Sequence, residues 1–249
     1  MKDLIKEQYH KLLEDFAELN LLKHVVDNAF RREFEVIAEY EKNNDPSKIV
    51  SLIAFGFDNP FSERLEKYDF REITVEKLKE LTVLHKNTQY CWLVASAFEK
   101  FERFLKIVFK MFFLKEERYV RKMLHCFSRD YGLVKAGEEK NAFDVNLKVA
   151  VLLVEKLRHV IVHNQGIVED LESFTEKVIS DSGVNGDRNK HELFIKQFFI
   201  GNRILLLESP VKNDCGLQRH HDVYRHMASY LLSYAYLVSE VVVQPEESI

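Results

Sequence analysis

Between Glu155 and Gly166 the chain gathers its densest set of reactive side chains: Glu155, Arg158, His159, His163 and Asn164. An imidazole titrates near neutral pH, so it can take up or release a proton during a reaction. A guanidinium grips a phosphate through two hydrogen bonds and stabilises extra charge on it. Positions 155, 159 and 163 are four apart, which lines them along one stripe of a helix. Arg158 stands roughly 140° away from His163 on a helix that advances about 100° per residue. The two meet either where the helix unwinds near His163 or where two subunits each supply a copy. Asn164 and Gly166 are helix-stopping types, so unwinding is expected there. The same residues also suit a helix end. His163 and Asn164 would then be C-terminal caps favoured by the helix dipole, and Glu155 would pair with His159.

The spacing of an Arg and a following His says little by itself. With 13 Arg and 10 His in the chain, about one or two such pairs arise by chance. Three occur, Arg118–His125, Arg158–His163 and Arg219–His226. Only the middle pair stands among Val, Ile and Leu, where removing charge from water needs a compensating role. A zinc site built on Glu155, His159 and His163 would lack the general-base Glu after its first His, since position 160 is Val. No metal or other cofactor is expected.

The segment RHVIVHNQG, Arg158 to Gly166, resembles the motif of the HEPN superfamily: an Arg, a polar residue, several apolar residues and a His. The stretch Asn164-Gln165-Gly166-Ile167-Val168 looks like the sequence that follows it in HEPN proteins of bacterial toxin and defence loci. AFEKFERFLK, 97–106, looks like the first long HEPN helix. The resemblance covers roughly 87–180. It implies metal-independent RNA cleavage by attack of the 2′-hydroxyl, leaving 2′,3′-cyclic phosphate and 5′-hydroxyl ends. It also implies a homodimer whose facing motifs form one composite site, with an antitoxin or regulatory protein as a possible further partner. Within it Arg158 would hold the phosphate, His163 would act as acid or base, and His159 would orient the substrate or serve the second proton transfer. Asn164, Glu155, Lys106 and Lys110 are the candidates for contacting RNA. The reading from another class is a non-catalytic HEPN-like module that binds RNA, a nucleotide or a protein partner.

The elements that must position these residues are helical. Only 8 Gly and 4 Pro occur among 249 residues, too few for the frequent turns of sandwiches, barrels and propellers. An all-α helical bundle is expected, with one small β-hairpin near the C-terminus, at about 192–208 around Gly201-Asn202. Long helices are predicted over 1–43, 90–114 and about 143–164, and a last one over about 219–242. IVSLIAFGF, 49–57, reads equally as a buried strand or a helix, and 61–86 as two short amphipathic helices. The chain divides on this reading into an N-terminal helical region, 1–86, and a bundle, 87–249.

Net charge is −4, so no whole-protein positive field gathers nucleic acid and any anion site is local. Over 100–125, however, eight Lys/Arg face three Glu, a basic excess that places Lys106 and Lys110 on a solvated face. Cys91, Cys126 and Cys215 are too widely spaced for a metal knuckle or a disulfide ladder. No signal-peptide core or membrane-length apolar run is present, so a cytoplasmic protein that does not enter membranes is expected.

Overall fold

The structure is a computed structural model that describes residues 2–45, 47–211 and 219–241. The chain forms two compact units. One comprises Met1–Lys23 with Asn87–Ile249, the other His24–Lys86. Helix α1 spans Lys2–Lys42 and α2 spans Val75–Phe113; α3 to α8 cover Val120–Asp130, Gly132–Glu139, Leu147–Asn164, Leu171–Ser182, Arg188–Lys196 and Val223–Val241. The fold is mainly helical, as the shortage of turn residues implied.

The larger unit is built around α5. Eleven of its eighteen residues are buried, among them every position from Leu147 to Val154. A helix apolar all round must be covered on all sides, and α5 packs against α3, α4, α6 and α8. The helix begins at Leu147, later than the sequence reading had it. Asn146 caps it by accepting from the amides of Lys148 and Val149 at 3.0 and 3.2 Å. Just before it, Asn141 holds a turn, its Oδ1 accepting from the Phe143 amide and its Nδ2 donating to the Val145 carbonyl. Phe101, Phe104, Leu105, Val108 and Phe109 of α2 join this core, as do Ile5, Leu12, Phe16 and Leu19 of α1.

Two further boundaries differ from the sequence reading. Asp187 caps α7 by accepting from the Lys190 amide, which draws Glu192–Lys196 into a helix. The expected hairpin is thereby reduced to β3 (Phe199–Ile200) and β4 (Arg203–Ile204), turned at Gly201-Asn202. A second small pair follows, β5 (Ser209–Val211) with β6 (Arg219–His221). The last helix starts after this pair, with Asp222 accepting from the Arg225 amide.

The smaller unit holds the clearest correction. Of the two short helices expected over 61–86, the second is the start of α2, but Arg64–Thr74 is a strand, β2, antiparallel to β1 (Ile49–Asn59). The undecided segment 49–57 is thus a strand. The turn between them explains the change. Asn59 Oδ1 accepts from the Phe61 amide and its Nδ2 donates to Glu66 Oε1 at 2.7 Å, while Glu63 takes φ = 53°. An Asx-type turn folds the chain back on itself, and pairing with an apolar strand outweighs the weak helical pattern of 64–74.

Candidate functional site

The polar face of α5 carries the motif. Arg158 is half-buried, and His159, His163 and Asn164 are exposed at the end of the helix. Helix α5 runs unbroken from Leu147 to Asn164 and stops only at Gln165, which adopts φ = 53°, followed by Gly166 at φ = 76°. The unwinding expected near His163 does not occur. Arg158 and His163 of one chain therefore remain roughly 140° apart around the helix.

Two of the predicted residues do come together. The rings of His159 and His163 lie 4.6 Å apart between centroids, tilted by 51°. Partial desolvation, then the charges of His163 and Arg158, hold the pKa of His159 below the ordinary imidazole value. Lys156 and Lys177 push the same way. His159 is thus biased to the neutral form, which can accept a proton. Glu155 makes no hydrogen bond or ion pair with His159, so the expected cap pairing is absent.

Arg158 turns toward α2, where its Nη2 donates to Glu99 Oε1 at 2.9 Å. Its Nε is buried without a hydrogen-bond acceptor. Glu155, one turn before His159, lines a cavity of about 240 Å³ with Tyr119, Arg121, Lys122, Lys156 and Asp181. Burial raises its pKa, with Glu102 and Asp181 adding to the shift and Lys156 opposing it. Lys106 and Lys110 line a different cavity, of about 470 Å³, with Arg118 and two Glu. Each is already paired, Lys106 with Glu102 at 2.7 Å and Lys110 with Glu116 at 2.6 Å.

Several residues around the motif had no signal in the sequence. Asp181 of α6 binds Arg121 of α3 and Lys156 of α5, tying three helices at the edge of the site. Deeper in, Lys148 Nζ lies 2.9 Å from His125 Nδ1. An ammonium only donates, so the ring proton belongs on Nε2, which faces the Asp181 carbonyl at 3.3 Å. Glu99 was within the quoted helix 97–106, but nothing in its spacing pointed to Arg158.

Among the described residues no group of three or more His, Cys, Asp or Glu is arranged to hold a metal ion. None of the described helices is long and apolar enough to cross a membrane. Comparison with known proteins finds no matching family model, no matching curated protein and no matching solved structure.

Proposed function

We propose that the chain is a metal-independent endoribonuclease of the HEPN type, cleaving RNA by 2′-hydroxyl attack. The observation that carries this reading is the exposed His159–His163 pair, 4.6 Å between ring centroids, at the solvent end of an otherwise buried helix. Two adjacent imidazoles, one biased to the neutral form, can serve the two proton transfers that the reaction needs. Arg158 on the same helix supplies the phosphate-stabilising cation. Because α5 stays helical, bringing Arg158 and a His163 to one phosphate calls for a homodimer with α5 of each subunit at a two-fold axis. A cytoplasmic toxin or anti-phage effector, held in check by an antitoxin or regulatory protein, is the setting that fits this chemistry.

The pairing of Arg158 with Glu99 favours a second reading, a non-catalytic module of the same type that binds RNA, a nucleotide or a protein. A cation already neutralised by a carboxylate is less free to meet a phosphate.

Labelled RNA incubated with the purified protein in EDTA separates the two. The nuclease reading expects 2′,3′-cyclic phosphate ends, with the rate reduced by about 100-fold or more in His163→Ala. Cleavage that needs metal, or that persists in His163→Ala, overturns it. RNA binding without cleavage, unaffected by Arg158→Ala, establishes the second reading.

A further inference from the structure

The cavity of about 240 Å³ that Glu155 lines is built by three helices of the larger unit. Tyr119, Arg121 and Lys122 come from the start of α3, Glu155 and Lys156 from α5, and Asp181 from α6. Glu155 and Lys156 precede His159 by four and three residues, which sets the cavity about one turn, or about 5 Å, along α5 from that imidazole.

Its charge is basic in surplus. Asp181 binds both Arg121 and Lys156, so one carboxylate answers two cations. Burial favours the uncharged form of Glu155. Among the described residues Lys122 forms no ion pair; its Nζ stands 5.0 Å from the centroid of the Tyr119 ring. After desolvation, His163 and Arg158, the charges of Lys156 and Lys177 also act on His159, so the basic surface runs on from the cavity to the histidines. The larger cavity is different. There Lys106 and Lys110 each have a carboxylate of their own, and no aromatic ring lines the space.

Tyr119 is the second distinctive feature, with 57% of it exposed. An exposed ring among cations is how single-stranded nucleic acid is held: the ring stacks a base while the cations follow the phosphates. The volume is below the roughly 300 Å³ at which pockets for drug-sized ligands begin, which suits one base and not a longer segment.

We propose that this cavity is the subsite for the nucleotide next to the scissile phosphate, its base stacked on Tyr119 and its phosphate held by Arg121, Lys122 and Lys156. Its place beside the scissile phosphate rests on the ribonuclease reading; the binding of a nucleotide there does not. The strand then runs over α3, α5 and α6, and Lys106 and Lys110 take no part in holding it.

Fluorescence anisotropy of the full chain with a labelled 2′-O-methyl RNA oligonucleotide of mixed sequence tests this, since that strand lacks the attacking hydroxyl and stays intact. Tyr119→Ala is expected to raise the Kd about ten-fold, and Tyr119→Phe to leave it within about two-fold of the wild type. Lys122→Ala is expected to weaken binding and to lower the slope of log Kd against log salt by about 0.7, whereas Lys106→Ala should change neither. A strand of the same length without bases is expected to bind the wild type and Tyr119→Ala equally. No measurable binding by the wild type overturns the proposal. So does a Tyr119→Ala variant that binds as the wild type does, a Tyr119→Phe variant that loses as much as Tyr119→Ala, or a Tyr119→Ala effect that persists on the baseless strand. A greater loss in Lys106→Ala than in Lys122→Ala also overturns it. Cleavage is scored separately on unmodified RNA: if none occurs while the Tyr119 and Lys122 effects hold, the nuclease reading fails and the subsite stands.

Discussion

Arg158 of α5 and Glu99 of α2 form an ion pair at 2.9 Å that joins residues 59 apart in the chain. Glu99 is more than half exposed, at 57% of its side chain, and a pair of that kind contributes at most about 1 kcal/mol. Its weight therefore lies in what it does to Arg158. Glu99 holds the guanidinium and competes with any phosphate for it. Glu99→Gln is expected to change stability by less than about 1 kcal/mol and to tighten RNA binding up to about five-fold. Arg158→Ala is expected to lower cleavage by about 100-fold or more. Binding isotherms and single-turnover rates check both. If Glu99→Gln weakens cleavage as much as Arg158→Ala does, Glu99 positions the Arg and the competition argument is wrong.

The histidines give stability a pH dependence whose sign follows from their surroundings. His125, His159 and His191 all have pKa values lowered from 6.5, with desolvation the first cause in each. For His125 the neighbouring Lys148 and Arg121 lower it further, while Asp181 opposes them. Below the unfolded value the unfolded chain binds protons that the folded histidines refuse. The stability is complete above the unfolded pKa and falls as pH drops past it, levelling off below the folded pKa. Glu138 and Glu155 act in the opposite direction, since burial raises both. Comparing the wild type with His125→Gln isolates one group from this mixture. Between about pH 7.5 and 5.5 the melting temperature of the wild type should fall more steeply than that of His125→Gln. Parallel curves would show that His125 is not held neutral in the fold.

How far the sequence revealed this arrangement depended on distance along the chain. The apolar run LKVAVLLVEKL announced α5, and Gly201-Asn202 marked the turn of β3–β4, because both patterns are local. The same locality misled at 64–74. That segment read as amphipathic helix, whereas the partner strand and the Asn59 turn made it β2. The motif residues were recognisable by type and spacing, yet their relations were not. That Arg158 meets Glu99, and that α5 does not unwind before Asn164, follow from long-range packing that a single sequence does not encode.

Asn87 illustrates that kind of packing and gives a sharp test. Buried in α2, it donates through Nδ2 to the Ile204 carbonyl and accepts at Oδ1 from the Leu206 amide, both at 2.8 Å. One side chain thus completes the backbone hydrogen bonding of a segment about 120 residues away, where β4 ends. Asn87→Ala strands a buried carbonyl and a buried amide together, at about 1–3 kcal/mol each before relaxation. Urea unfolding is expected to register a loss of about 2–4 kcal/mol in total. A loss under about 1 kcal/mol would mean that water reaches both groups.

Gly166 and Gly183 share a left-handed backbone, at φ = 76° and 65°, but differ in what a side chain would strike. A Cβ at Gly166 finds its nearest neighbour, Ile204 Cβ, at 4.0 Å, so Gly166→Ala carries only the conformational strain of about 1–2 kcal/mol. At Gly183 a Cβ would come within 2.9 Å of His125 Cε1, closer than atoms tolerate. The ring cannot swing away freely, since Lys148 binds its Nδ1 and the Asp181 carbonyl faces its Nε2. Gly183→Ala must therefore add to the same strain the loss of one or both contacts, about 1 kcal/mol more. It should also move the imidazole resonances of His125 in NMR spectra, which Gly166→Ala should leave in place. Equal destabilisation of the two variants, with His125 undisturbed, would show that the ring is free to move and that its ties to Lys148 and Asp181 are weak.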